Sequence, residues 1–510
     1  MNALVTTVTL VTRRYPLILA RGLLFFFLVA LAVPATAQSA LVKIKPDAAI
    51  EARAAAGTPV APELRIWRVP DAAIPALRAE GVIVTAERER LLHPAAAALD
   101  EPLAGQEWWR SVIGADTVAS PGPGRPVTVV DTGLDMTHEE FSSRPNTTLL
   151  NNQTVFFADD DHGTEVSSVI AAPVNGVGLA GVYPQAALRS WDASPFGFIT
   201  TGDAIRGIVE AARHGAGVIN LSFGGEDDEP LVQQAVLYAF KHGSLVVASS
   251  GNDGLADNPL TYPASYPHVL TVGATDATGF VASFSSRSRF VDLAAPGAEI
   301  PVAEPTSIEP GGYDVASGTS FSAPLVSGAA AWVWTARPQL DNTQLFDVMR
   351  FSAHDIDAPG YDQSSGYGLL NIPAALAFPT PARDPLEPND NIDQVAPKRL
   401  FNEGERAIVT ATKRNATVVA RLDRNEDPND VYRAYVRAHG TLTASVASPG
   451  VELRIYRSTA RSLAALPLSR GARHVTARNS VDRGVYLYVD VRPTTLRPSY
   501  VLQVSASARP

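Results

Sequence analysis

Hydrophobic and polar positions follow an alternating strand and helix pattern between about residues 106 and 378. Pro126–Val130 and Val218–Leu221 are short, continuously apolar runs, as is typical of parallel strands buried on both faces. Asp203–His214 and Pro230–His242 have helical spacing, and a glycine follows each of them. Strands separated by helices in this way predict an α/β fold, with a parallel sheet covered by helices on both faces.

A smaller pattern precedes this region, from residue 38 to about residue 100. The Ala/Pro-rich stretch Pro94–Pro102 at its end is typical of a linker. The other runs predict three strands and one helix, in the order strand, strand, helix, strand: Leu41–Lys45, Leu64–Val69, Pro75–Glu80 and Val82–Ala86. We therefore expect a small β/α unit at 38–100 and a larger domain at 101–380.

Helix signals fade beyond a Pro-rich connector at residues 379–390. We assign 381–392 as a linker and 393–510 as an all-β sandwich, because the remaining apolar runs are short, alternating and separated by turn residues. These runs are Ala407–Ala411, Thr417–Ala420, Leu442–Val446, Glu452–Tyr456, Gly484–Asp490 and Tyr500–Val504. No metal-ligand cluster or nucleophile arrangement is recognisable in this part of the sequence.

The first 37 residues have the pattern of a signal peptide. Arg13 and Arg14 precede the apolar run Gly22–Val33, and a small-residue cleavage site ends at Ala37. The alternative is a membrane anchor, but the run is shorter than the roughly 20 apolar residues of a spanning helix. We expect a secreted, periplasmic or extracellular protein with no stable membrane anchor after signal cleavage.

Composition excludes several classes of chemistry. The 510-residue chain has no cysteine, which excludes disulfides, thiolate catalysis and cysteine-ligated metals. Its formal net charge is −10 with no long basic run, which argues against nucleic acid as the main partner.

Candidate chemistry lies where irregular segments meet helices. Ser320 begins a small-residue helix that we expect to run from Phe321 to about Ala336, so its hydroxyl faces unpaired N–H groups. By itself such a serine is more often a simple cap. His162 opens another small-residue helix, and Asp131 follows the buried strand at 126–130. A nucleophilic serine needs such a base, and the base needs a carboxylate to orient it.

Three blocks identify the resemblance. Asp-Thr-Gly at 131–133, His-Gly-Thr at 162–164 and Gly-Thr-Ser-Phe-Ser-Ala-Pro at 318–324 resemble, in this order, those of subtilisin-family serine endopeptidases. The resemblance implies that Ser320 is the nucleophile, His162 the general base and Asp131 the residue that orients it. It also implies peptide or protein substrates, an acyl-enzyme intermediate, and no cofactor for the chemistry.

The same resemblance implies further site residues. Asn252 occupies the position of the oxyanion donor, whose side chain stabilises the tetrahedral intermediate. The substrate backbone is expected along an edge formed by Leu221, Ser222, Phe223, Gly224 and Gly251.

A structural calcium ion is implied by the loop Ala172–Leu179. Asn175 falls on a side-chain ligand position and Glu140 on a carboxylate position of the resembling site, and hard oxygen ligands suit calcium. An ordinary Asn-Gly turn explains the same residues, because turns favour them. Both interpretations stay open at this point.

The flanking units also have resemblances. The unit at 38–100 resembles the propeptide of such proteases, which implies an intramolecular inhibitor and self-processing. The C-terminal unit resembles the pre-peptidase β-sandwich appended to many secreted proteases. The alternative function is a non-catalytic binding or surface protein on a subtilisin-like fold. An esterase is disfavoured, because residues 318–322 do not form a G-x-S-x-G elbow.

Overall fold

The computed structural model describes residues 39–45, 57–61, 64–70, 73–88, 101–154, 161–309 and 311–507. All of them lie within one compact body, Gln38–Pro510. The predicted signal peptide at 1–37 and residues 94–100 of the predicted linker lie outside the described residues. No helix in the described part of the chain has both the length and the apolar character that a membrane crossing needs.

The N-terminal unit is a four-stranded antiparallel sheet with one helix, close to the sequence expectation. Its elements are β1 (Ser39–Ile44), β2 (Thr58–Ala61), β3 (Ile66–Pro70), α1 (Ile74–Ala79) and β4 (Ile83–Arg88). The strand order is β2-β3-β1-β4. Its small apolar core includes Val42 and Leu77, and Phe280 from the central region packs against it.

A seven-stranded sheet forms the centre of the fold, and its neighbouring strands pair in parallel. Its strands are β5 (Pro126–Asp131), β6 (Thr147–Leu149), β7 (Ala187–Asp192), β8 (Val218–Leu221), β9 (Leu245–Ser249), β10 (Val269–Thr275) and β11 (Val291–Pro296). They lie in the order β11-β10-β9-β8-β5-β7-β6. The predicted parallel α/β fold is therefore confirmed.

Helices cover both faces of this sheet. In the described central region they are α2 (Trp109–Val112), α3 (His162–Ala171), α4 (Thr201–Arg213), α5 (Pro230–Lys241), α6 (Thr319–Ala336), α7 (Asn342–Phe351) and α8 (Ile372–Ala377). Val127 and Val129 of β5 share a core with α3 and α6, whereas Val130 shares one with α4 and α5. Because successive side chains of a strand point to opposite faces, β5 is buried on both of them.

The C-terminal unit consists of two antiparallel four-stranded sheets with a common core, as predicted. The central region also contains a hairpin of β12 (Ile300–Ala303) and β13 (Tyr313–Ala316), and the short helix α9 (Ile392–Val395) precedes the C-terminal strands. These strands are β14 (Asn415–Arg421), β15 (Asp430–Val436), β16 (Thr441–Val446), β17 (Val451–Tyr456), β18 (Ser469–Gly471), β19 (His474–Arg478), β20 (Val485–Pro493) and β21 (Ser499–Ser507). The predicted strand Ala407–Ala411 is wrong, because only Val409 there forms an isolated bridge, to Ala434. Strand β15, which that bridge joins, contains the polar residues Asp430 and Arg433, and these obscure its apolar alternation.

Candidate active site

The site lies at the carboxyl edge of the parallel sheet, between β5 and β8. From β5 the chain first builds β6 and β7 on one side, and it then crosses to add β8 to β11 on the other. Open α/β sheets bind ligands at such a reversal of strand order. Asp131 ends β5 and Leu221 ends β8 at this point.

Asp131 and His162 are joined by a hydrogen bond in this crevice. His162 Nδ1 lies 2.8 Å from Asp131 Oδ1, which also accepts a 2.8 Å hydrogen bond from the Thr132 backbone N–H. The Asp131 side chain is fully buried. A buried carboxylate in this position holds the imidazole with Nδ1 protonated and Nε2 free to accept a proton.

The two loops that carry this pair are fastened to each other by threonine hydroxyls. Thr132 Oγ1 accepts from the Gly163 N–H at 2.8 Å, and Thr164 Oγ1 accepts from the Asp135 N–H at 2.9 Å. A Cβ atom on Gly163 would lie 2.1 Å from the Gly133 carbonyl oxygen. The start of α3 therefore approaches the loop after β5 at a distance that only glycine permits.

The charge around His162 changes its proton affinity. Burial lowers the pKa of an imidazole, but the Asp131 carboxylate and its hydrogen bond, with Glu165 and Asp161, outweigh burial and raise the pKa of His162 to about 9. The neutral form, which can act as a base, is therefore populated more fully as the pH rises.

Ser320 is the second residue of α6, which begins at Thr319 after the N-cap residue Gly318. Its Oγ donates to the Ser222 carbonyl oxygen at 3.1 Å, while Ser222 Oγ donates to the Ser320 carbonyl at 2.8 Å. The ring of Phe321 lies 5.8 Å from that of His162, centroid to centroid. The start of α6 thus lies beside the imidazole, although the serine hydroxyl points to the end of β8 in this structure.

Asn252 lies at the mouth of the same crevice, and Thr319 fixes its amide orientation. Asn252 Oδ1 accepts from the Thr319 backbone N–H at 2.9 Å and from Thr319 Oγ1 at 3.0 Å. A backbone N–H can only donate, so the amide oxygen must face it. Asn252 Nδ2 is consequently turned away from Thr319, and it lies 3.3 Å from the position that a Cβ on Gly318 would take.

The residues predicted to bind substrate divide into two groups. Leu221 is fully buried in the sheet and Ser222 is only 3% exposed, so neither offers much side chain to solvent. Gly224 and Gly251 both closely approach Thr261, since a Cβ on either would lie 2.6 Å from its side chain. Phe223 packs partly against the core shared with α4 and α5. Backbone atoms of the segment after β8 are therefore what this edge can present to a peptide.

The loop predicted to bind calcium lies against buried carboxylates. Glu140 is fully buried, its Oε1 accepts from the Leu179 N–H at 2.7 Å, and its Oε2 has no partner within the described ranges. Glu101, which the sequence reasoning missed, accepts from the Gly176 N–H at 3.0 Å and also has a buried, unpartnered Oε2. Asn175 Oδ1 accepts from the Val177 N–H at 2.9 Å, as in an Asx turn. The two free carboxylate oxygens fit a hard cation, whereas Asn175 fits either interpretation.

A pair of acids behind His162 was also missed by the sequence reasoning. Glu165 lies on α3 and Glu304 follows β12; both are buried, and their carboxyl groups share a hydrogen bond. Burial, the neighbouring Glu304 and the nearby Asp161 raise the pKa of Glu165 to about 8. Burial and the charge of Asp161 raise the pKa of Glu304 to about 7, although the hydrogen bond with Glu165 lowers it. The only signal of this pair in the sequence was Glu165 itself, an acidic residue in the first turn of the helix that begins at His162.

Comparisons with known proteins point to one family. A model of the subtilase family matches residues 122–368. Subtilisin Savinase from Lederbergia lenta is 35% identical over 257 residues, which cover 50% of this chain and 91% of that protein. Subtilisin E from Bacillus subtilis (strain 168) is 32% identical over 306 residues, covering 57% and 78%. Fervidolysin from Fervidobacterium pennivorans is 31% identical over 317 residues, covering 55% of this chain and 44% of fervidolysin.

Proposed function

Since this chain belongs to the subtilase family of serine proteases, we propose that it is an exported endopeptidase that hydrolyses peptide bonds through an acyl-enzyme. The observation that carries the proposal is the 2.8 Å hydrogen bond between Asp131 and His162, beside the helix start that contains Ser320. A buried aspartate that orients an imidazole is the arrangement that a serine nucleophile needs.

The proposed reaction begins when Ser320 Oγ leaves the Ser222 carbonyl and gives its proton to His162 Nε2. The oxygen attacks the scissile carbonyl carbon, and the resulting oxyanion accepts hydrogen bonds from Asn252 Nδ2 and the Ser320 backbone N–H. His162 then protonates the leaving amine, and the ester bond to Ser320 remains. Water, deprotonated by His162, hydrolyses this ester and restores the hydroxyl.

The substrate is proposed to lie as an extended strand along the segment that follows β8. Backbone groups of Ser222 and Gly224 would bond to the peptide, because this edge continues the sheet beyond Leu221. Gly251 and Gly224 allow the segment after β9 and the segment after β8 to approach Thr261 closely. Such main-chain recognition suits a protease that accepts varied protein substrates.

The flanking segments and the calcium loop complete the proposal. Export would use residues 1–37, and the unit at 38–100 would inhibit the enzyme in cis until self-processing removes it. Glu140, Asn175 and Glu101 would hold a calcium ion, which supplies positive charge that neutralises the buried carboxylates and fixes the loop. The chemistry itself is assigned to this chain's own side chains.

Ser320→Ala tests the proposal directly. We expect a loss of casein hydrolysis on the order of 10⁶-fold, the size measured when the nucleophile of subtilisin is removed, and a precursor that stays unprocessed. Intact mass spectrometry and casein assays of the wild type and the variant measure both effects.

Ser322→Ala is the matched control, because Ser322 is buried in the same helix and donates to the Ala295 carbonyl instead. It should retain processing and activity. Equal hydrolysis by wild type and Ser320→Ala would reject the catalytic assignment. A wild type that binds peptides without cleaving them would favour the non-catalytic alternative.

A further inference from the structure

A group of buried carboxylates lies where the central region meets the C-terminal β-sandwich. Asp384 and Glu387 belong to the Pro-rich connector, and Asp430 begins β15. One carboxylate oxygen of each lies within 4.8 Å of the other two. Asp430 is fully buried, Asp384 is 9% exposed, and the Glu387 side chain is 4% exposed.

Several oxygens of this group have no hydrogen-bond partner in the described part of the chain. They include Asp384 Oδ1 and Asp430 Oδ1, together with Oδ1 of the neighbouring Asp427. Asp430 Oδ2, by contrast, accepts from Tyr500 Oη at 2.5 Å, which fixes the carboxylate. Buried polar atoms are nearly always satisfied, so unpartnered oxygens on acids that lie this close together indicate a missing ligand.

The positive charges nearby do not balance these acids. Arg421 Nε lies 3.5 Å from Asp384 Oδ2, but the same guanidinium is shared with Asp347 at 2.6 Å. Asn389 donates to Glu387 at 2.6 Å and carries no charge. Burial, and then the charge of Asp430, raise the pKa of Asp384 to about 8, which reflects the cost of several anions in one buried place.

We propose that Asp384, Glu387 and Asp430 bind a divalent cation, and that the cation is calcium. All three ligands are carboxylates, which hard cations prefer, and calcium accepts irregular sets of six to eight oxygens. Asp384, Glu387 and Asp427 also line a cavity of about 320 Å³, which has room for water molecules that complete the coordination.

His268 belongs to the surroundings of this site and is not one of its ligands. Its Nε2 lies 2.8 Å from Asp390 Oδ2, and Asp390 is three residues beyond Glu387. The ring stacks on Phe240 of α5, with 4.3 Å between the ring centroids. Because His268 and Phe240 are part of the central region, an ion that fixes the connector at Glu387 also fixes it against that region. The ion would therefore stabilise the attachment of the β-sandwich to the protease domain.

Calcium titration of the full chain tests this site. The titration uses the Ser320→Ala background, which is expected to prevent self-cleavage. The test does not depend on the proposed catalytic role, because the substitution would leave ion binding unchanged if Ser320 were not the nucleophile. After chelation and desalting, isothermal titration should show one fewer ion per chain in Glu387→Gln and in Asp430→Asn than in the parent. Only this difference counts, since the Glu140 loop would bind its own ion.

Asp482→Asn is the control, because Asp482 lies in the same β-sandwich but its side chain is 97% exposed. It should keep the parent stoichiometry. An unchanged stoichiometry in both Glu387→Gln and Asp430→Asn would overturn the proposal.

Thermal unfolding provides a second measurement, which also detects a variant that folds poorly. In EDTA, Glu387→Gln should raise the Tm, because it removes one of several repelling carboxylates. In calcium the parent's Tm should rise with ion concentration, and this rise should be smaller in Glu387→Gln, which keeps only the ion of the Glu140 loop. A parent whose Tm is equal in EDTA and in calcium, and which is stabilised by acid instead, would show that the acids share protons and bind no ion.

Discussion

Thr319 decides at the residue scale what Asn252 can do. Its backbone N–H and its hydroxyl both contact Asn252 Oδ1, so the amide NH₂ is turned away from Thr319. We predict that Asn252→Ala lowers kcat by about 100- to 1,000-fold, the range measured for the equivalent donor in subtilisin, with little change in KM. Steady-state kinetics on a peptide ester or amide measure this effect.

Thr319→Val tests the orientation of the Asn252 side chain, whereas Asn252→Ala tests its presence. It keeps the size of the side chain and the backbone donor but removes the hydroxyl, so it should reduce kcat by less than Asn252→Ala does. Combining the two changes should add little to Asn252→Ala alone, because both act on the same donor. A fully additive double variant would contradict the assigned orientation.

Glu165 is predicted to raise the pH at which the base becomes active. His162 must be neutral to accept a proton, so kcat/KM should rise with pH through its pKa, which lies above the ordinary value of 6.5. Glu165→Gln removes a negative charge that raises this pKa. We therefore expect the acidic limb of the pH profile to move to lower pH, with the plateau little changed.

The measurement is kcat/KM against pH for wild type and Glu165→Gln. Glu210→Gln serves as the control, because Glu210 lies on α4 and pairs with the exposed Arg213. A limb that stays in place, or that moves to higher pH, would contradict the electrostatic role of Glu165.

Short motifs allowed Asp131, His162, Asn252 and Ser320 to be predicted from the sequence, because each occupies a fixed position at a strand end or helix start. The sequence could not reveal that Ser320 Oγ faces Ser222, since a side-chain rotation is set by tertiary neighbours. The position of Glu304 beside Glu165 could not be predicted from the sequence either. Its contact with Glu165 exists only because α3 packs beside β12 in the folded chain.

At the scale of elements, prediction worked where burial was uniform. Strand β5 is buried along its whole length, and its apolar run gave its position almost to the residue. Strand β15 was missed because Asp430 and Arg433 have specific buried or half-buried partners, which an apolar pattern cannot show. Helix α7 was not predicted, although Asp341 and Gln344 form a capping box at its start.

At the scale of the whole molecule, Arg350 connects the protease domain to the β-sandwich. This residue of α7 is 4% exposed and pairs with Asp292 at 3.3 Å and Asp347 at 3.0 Å in its own domain. It also pairs with Asp423 of the C-terminal unit at 3.2 Å. No pattern in the sequence predicted this contact, because it depends on how two separately patterned units pack together.

Removing Arg350 should lower the free energy of unfolding more than removing a surface ion pair does. Arg350→Met keeps much of the apolar stem but leaves Asp292 and Asp423 buried without their cation, so we expect a loss of about 3–5 kcal/mol in unfolding free energy. Urea unfolding in the Ser320→Ala background measures it. Arg206→Met is the control: its pair with Asp203 is on the surface, its side chain is 69% exposed, and its loss should stay within about 0.5 kcal/mol. Adding Asp423→Asn to Arg350→Met should recover part of the lost stability, because it removes one of the stranded charges. A double variant less stable than Arg350→Met would show that Asp423 is stabilised by other contacts, and that Arg350 does not join the two units through it.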